Sequence, residues 1–176
     1  AQRLMAHGVK PKKMGVVPHG LDRDKFYEID QNEARKRLGL PQDKFIVFNG
    51  NRNQPRKCID QTIKAFAEFC VGKEDVLLYL NMAEKDLGWH IKELLETELR
   101  RRGIDPTQKV ALTPNMNYHA APPDEQLNLI YNACDVGLNT ANGEGWGLVP
   151  FEHAMCRKAQ VVPNHTSCKD IWNGSG

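Results

Sequence analysis

Two short segments hold the residues that could do chemistry. The first, Asn49-Gly50-Asn51-Arg52-Asn53-Gln54-Pro55-Arg56-Lys57, puts three cations just before a stretch with helical spacing of its apolar residues. Guanidinium and ammonium groups beside a helix start suit a diphosphate. The second runs from Asn142 to Met155, with Gly143, Gly145 and Gly147 at alternate positions and two acids, Glu144 and Glu152, eight positions apart. Alternating glycines let a backbone turn sharply and approach a ligand, and Pro150 suits the first turn of a following helix. Backbone N–H groups at such a start bind anions, and carboxylates accept hydrogen bonds from hydroxyls. Plainer readings stand beside these: a solvated basic loop, a bare glycine turn, a solvated Glu144, and Glu152 as a first-turn acid complementing the helix dipole.

These segments need a scaffold that presents both at one end. Short β-branched or apolar runs predict strands at Met14–Val17, Phe45–Phe48, Val76–Leu80, Val110–Leu112, Val136–Leu138 and Gln160–Val162. Between them lie helical stripes: Ile59, Ile63, Phe66 and Cys70; then Ile91, Leu94, Leu95 and Leu99; then Leu127, Ile130 and Tyr131, each taken as a core face. A shorter helix is predicted over Asn32–Leu38, with Asn32 as its N-cap and Gly39 as its stop. Strands alternating with helices imply a Rossmann-like three-layer α/β/α fold on a parallel sheet of about six strands. In such sheets ligands gather at the carboxyl ends of the strands, where both segments fall.

Composition excludes several classes. At 176 residues, 40% hydrophobic and 26% charged, the chain is globular in type, with room for one domain. A net charge of +2 does not announce nucleic acid as a partner. No apolar run is long enough to span a bilayer, and the start lacks a secretion signal, so a cytoplasmic location is expected. Five cysteines without a Cys-x-x-Cys pair read as reduced core thiols. Asp22-Arg23-Asp24 reads as a turn rather than a metal site, and His19, His90, His119, His153 and His165 show no zinc spacing, so no metal ligand is assigned.

Taken together, these residues resemble the C-terminal donor-binding domain of GT-B glycosyltransferases, specifically the retaining enzymes of glycosyltransferase family 4, also called group 1. Val16-Val17-Pro18-His19-Gly20-Leu21-Asp22 followed by Phe26 is similar to the stretch through which the family's chain enters this domain. Arg52 and Lys57 match a family Arg and Lys five residues apart, and Glu144-Gly145-Trp146-Gly147-Leu148 with Glu152 matches the family's E-G-F-G-L and its glutamate pair.

The resemblance implies one half of a GT-B fold, with residues 1–13 the end of a preceding region or linker and 14–176 a C-terminally truncated nucleotide-sugar-binding domain. It implies transfer of a hexose-type sugar from a UDP- or GDP-linked donor to a glycan or lipid acceptor, with no cofactor or divalent ion. Arg52, Lys57 and Glu144 would be the catalytic residues, the cations at the diphosphate and Glu144 at the donor sugar. Glu152 would hold the ribose, Gly50, Gly145, Trp146, Gly147 and Leu148 would face the donor, and Asn115 and Met116 would lie near the base. The acceptor domain would precede this chain, so the fragment alone would bind donor without turning over. The full-length protein could touch a membrane peripherally but has no integral membrane segment here. The other readings are a nucleotide-sugar epimerase or phosphorylase on the same fold, or a noncatalytic sugar-nucleotide module. Three departures from the family pattern stand out: Cys58 and Arg157 where glycine is usual, and His153 where a small residue is common.

Overall fold

The computed structural model describes residues 2–15, 17–117 and 121–174. Five parallel strands, β1 (Phe45–Asn49), β2 (Val76–Leu80), β3 (Val110–Leu112), β4 (Val136–Leu138) and β5 (Ala159–Val161), form one sheet in the order β3-β2-β1-β4-β5. The helices are α1 (Gln2–Ala6), α2 (Gln31–Leu38), α3 (Ile59–Phe69), α4 (Ile91–Arg100), α5 (Pro106–Lys109), α6 (Asp124–Ala133), α7 (Leu148–Met155) and α8 (Thr166–Trp172). The α/β reading of the sequence holds, with five strands rather than six in the sheet of the described residues. Met14, Gly15 and Val17 take no strand conformation, and Val16 lies outside the described residues. Gly15 and Pro18 explain this, since glycine disfavours extended pairing and proline has no N–H for a ladder.

Alternation along the two central strands divides the core. Val47, Val76, Leu78 and Leu80 pack with Ile59, Ile63 and Phe66 of α3 and Ile91, Leu95 and Leu99 of α4. Ile46, Phe48, Leu77 and Tyr79 point the other way, against Ile130 and Tyr131 of α6. Both faces of β1 and β2 are therefore apolar, as a parallel sheet covered on both sides requires. Each fully buried Ile or Leu contributes roughly 1.5–3 kcal/mol.

The segment ahead of the sheet is tied to α6. Asn128 and Asn132 accept from the Tyr27 and Ile29 amides at 3.2 and 2.8 Å, and buried Arg35 donates to the Ala133 carbonyl and the Asp135 carboxylate at 2.9 and 2.7 Å. Asp30, not Asn32, caps α2 by accepting from the Glu33 amide at 2.9 Å, and Asn32 lies within the helix. Gly39 ends the helix at φ 67° as expected.

Cys58 (φ 48°) and Arg157 (φ 58°) both adopt the left-handed conformation that favours glycine, so two departures from the family pattern fall at strained backbone positions. The described cysteines form no disulfide, and all but half-exposed Cys58 are buried. Asp22 caps its own turn by accepting from the Asp24 amide at 3.0 Å. His119 lies outside the described residues. Among the described residues no helix is long and apolar enough to cross a membrane.

Candidate functional site

The sheet order reverses direction between β1 and β4, which is where an open α/β sheet opens a crevice at its carboxyl edge. A cleft of about 260 Å³ opens at that edge beside β1, β2 and β3. Gly50 and Arg52 reach it from the β1 loop, Met82 and Asp86 from the β2 loop, Met116 from the β3 loop, Tyr131 from α6, and Val149 and Glu152 from α7. Arg52 and Glu152, 100 positions apart in sequence, thus line one cavity. Gly50 is required by space, because a Cβ there would meet the Phe48 ring and come within 3.3 Å of Val149.

Arg52 is oriented by an acid that sequence reading did not select. Its Nε donates to Asp86 Oδ2 at 2.7 Å and its Nη2 to Oδ1 at 3.3 Å, a two-point fork. The Asp86 side chain is only 2% exposed, and the Arg52 hydrogen bond holds its carboxyl below the usual range. The β2 loop had no recognisable motif, and Asp86 was one acid among many.

Lys57 and Glu144 lie outside the lining of this cleft. Lys57 Nζ donates to Glu144 Oε1 at 2.6 Å and to Asn51 Oδ1 at 2.9 Å. Asn51 Nδ2 donates to Asn139 Oδ1, and Asn139 Nδ2 donates to Glu144 Oε1, each at 3.3 Å. Four side chains therefore close a ring around a nearly buried ion pair. Arg56 adds a second cation, donating to Glu144 Oε2 at 3.3 Å and to the Gly143 carbonyl at 2.6 Å. Glu144 is the hub of this cluster rather than a solvated loop acid. Asn51 sits one residue from Gly50 and Arg52, so the ring borders the cleft.

Of the three alternating glycines, Gly147 alone has a positive φ (89°), and it is the N-cap of α7. Gly145 would tolerate a Cβ without contact. Leu148 is the first residue of α7, whose opening amides lack intrahelical partners. Trp146 packs on His19, ring centroids 5.9 Å apart, and edge-on against Phe151 at 5.5 Å. Through His19 the Val-Pro-His-Gly stretch meets the glycine loop. Glu152 is the fifth residue of α7, not in its first turn, so its carboxylate does not serve the helix dipole there. Burial raises its pKa, and Tyr131 Oη donates to its Oε2 at 2.6 Å. Asn115 (φ 57°) lines an adjoining cavity of about 420 Å³ that shares Met82 and Met116 with the cleft. His153 is fully buried against Phe48 and Tyr131, where burial lowers its pKa to about 3. Among the described residues no group of three or more His, Cys, Asp or Glu is placed to hold a metal ion.

Comparison with known proteins places this geometry. The chain is 31% identical over 152 residues to D-inositol 3-phosphate glycosyltransferase of Segniliparus rotundus, a match covering 85% of this chain and 31% of that protein. The like-named protein of Geodermatophilus obscurus is 27% identical over 159 residues, covering 89% and 34%. The chain thus spans about a third of the length of these curated relatives. The fold is shared with HepE of Anabaena, solved in complex with UDP (TM-score 0.73, 22% identity, 96% of this chain and 43% of that one). It is shared too with the C-terminal domain of a group 1 glycosyl transferase, LpcC, from Francisella tularensis (TM-score 0.65, 18% identity, 88% and 74%). Residues 30–173, which hold the whole sheet, the cleft and the ring around Lys57, match the family of group 1 glycosyl transferases, and the chain belongs to that family.

Proposed function

We propose that this chain is the donor-binding half of a retaining GT-B glycosyltransferase that transfers a hexose-type sugar from a UDP- or GDP-linked donor to a glycan or lipid acceptor held by a preceding domain. The observation that carries this reading is the meeting of Arg52 and Glu152 in one cleft at the carboxyl edge of a parallel sheet. Membership in the group 1 family and the fold shared with a protein solved with UDP support it.

Breaking the bond between sugar and nucleoside diphosphate leaves negative charge on the phosphates while the sugar becomes oxocarbenium-like. Fixed cations and oriented amides lower that barrier because they need no reorganisation as charge develops. Arg52, held by Asp86, offers such a cation at the cleft. Lys57 is engaged with Glu144, so a diphosphate entering between the loops would take Glu144's place on the ammonium and turn the carboxylate toward the donor sugar. The opening amides of α7, near Trp146, Gly147 and Leu148, would face the phosphates. Glu152 would accept from the ribose hydroxyls, and Met116 with Asn115 would border the base. In this reading the charges of Arg52 and Lys57 do the work a divalent ion does elsewhere. Donor phosphate and acceptor hydroxyl would meet on one face of the sugar.

Thermal-shift measurements with UDP, GDP and ADP would choose the base, followed by calorimetry on Arg52→Ala and Lys57→Ala. Affinity for the chosen nucleotide should fall in both variants; unchanged affinity in both would overturn the reading.

A further inference from the structure

We infer that Tyr131 is a positioning residue that sets ribose selectivity through Glu152. The inference rests on the reading of Glu152 as the ribose acceptor and extends it to a residue whose helical spacing marked it only as core. Tyr131 belongs to α6 and Glu152 to α7, and both reach the cleft. The phenol oxygen lies 2.6 Å from Glu152 Oε2, and among the described residues this is the one hydrogen bond made to that carboxylate.

The tyrosine cannot swing away from this contact. It is 1% exposed, and its ring is packed by Phe26 (centroids 5.6 Å apart), by Phe48 edge-on (5.4 Å) and by His153 in a stack (5.4 Å). Its own backbone carbonyl is bonded to His153 Nε2 at 3.0 Å. The hydroxyl is therefore a fixed donor in a rigid wall. Burial and the neighbouring Glu152 carboxylate push the phenol pKa well above its usual value, so it donates rather than accepts.

Two consequences follow for Glu152. One oxygen is engaged by a charge-assisted bond, which restricts the rotamer freedom a glutamate normally loses only on binding. The other oxygen then has a fixed direction and remains a pure acceptor, so it selects a ligand that brings O–H donors. A vicinal diol fits, and a sugar lacking one hydroxyl forfeits a bond to a half-buried charged group. Tyr131 touches no ligand in this scheme. It holds the group that does.

The test is calorimetry on the protein with UDP, 2′-deoxy-UDP and inorganic pyrophosphate, using GDP or ADP with its 2′-deoxy form if either gives the larger thermal shift. The native chain should prefer the ribonucleotide about ten-fold, and Glu152→Gln should abolish that preference. Tyr131→Phe, which removes one oxygen and keeps the ring, should cut the preference several-fold and leave pyrophosphate affinity unchanged. Retention of the full preference in Tyr131→Phe, with loss in Glu152→Gln, would overturn the inference and leave the proposed function standing. A preference intact in both variants, or absent in the native chain, would overturn the ribose role of Glu152 and this inference with it. If Tyr131→Phe does not fold, Tyr131→Met, which also removes the hydroxyl while filling much of the ring's space, should show the same selective loss, and retained selectivity there would equally overturn it.

Discussion

Lys57 and Glu144 form a 2.6 Å ion pair between two loops 87 positions apart, with side chains 12% and 7% exposed. The Asn51 and Asn139 amides complete its hydrogen bonding. Removing Glu144 from a pair so nearly buried strands the Lys57 charge, whereas removing Lys57 leaves Glu144 with Arg56 as a second, more exposed cation. Glu144→Gln should lose about 3 kcal/mol of stability in urea unfolding, and Lys57→Met less, because Arg56 still pairs with Glu144. The double variant should lose less than the sum by more than about 1 kcal/mol. Additive losses would show that the pair is not a coupled unit.

Asp86, which reaches the cleft beside Arg52, should matter to binding by holding that guanidinium. Because its carboxylate orients the guanidinium by a two-point fork, Asp86→Asn keeps the shape and weakens the hold. Affinity for nucleoside diphosphate and for inorganic pyrophosphate should fall together, each by about five-fold, a change of roughly 1 kcal/mol. A rise in affinity on calorimetry would mean instead that Asp86 competes with the ligand for Arg52.

The left-handed residues offer a stabilising change. Cys58 and Arg157 hold φ of 48° and 58°, where a Cβ is penalised and glycine is not. Arg157 also pairs with Glu28 at 3.0 Å, but both side chains are more than half exposed and the pair contributes little. Cys58→Gly and Arg157→Gly should each gain about 0.5–1 kcal/mol, or roughly 1–4 °C in melting temperature. Lower melting temperatures for both would contradict the strain assignment.

His153 should make the fold acid-sensitive. Burial lowers its pKa from 6.5 to about 3, so the native state holds it neutral while the unfolded chain protonates it. The stabilisation is complete above pH 6.5 and erodes as pH falls toward 3. By pH 5 the loss is about 2 kcal/mol, from roughly 1.4 kcal/mol per pH unit. Urea midpoints at pH 7 and pH 5 should therefore diverge more in the native chain than in His153→Leu. Equal divergence would place the acid-sensitive group elsewhere.

What the sequence determined by itself is local. Apolar runs bounded by turn residues located β1 to β5 to within a residue or so, and helical stripes located α3, α4 and α6, because burial of one face leaves its period in the chain. The motifs around Arg52, Lys57, Glu144 and Glu152 were legible as types and spacings. The extended reading of Met14–Val17 failed because a strand exists only with a partner, which a short stretch does not specify. The side-chain pairings within the candidate site were not legible at all: Arg52 with Asp86, Lys57 with Glu144, and Tyr131 with Glu152. Tyr131 kept the period of a core residue while its single polar atom reached the cleft, and Asp86 had no motif around it. Only the tertiary structure decided these contacts. The sheet order β3-β2-β1-β4-β5 brings the carboxyl ends of distant strands to one edge, and complementary charges there find each other through space rather than along the chain.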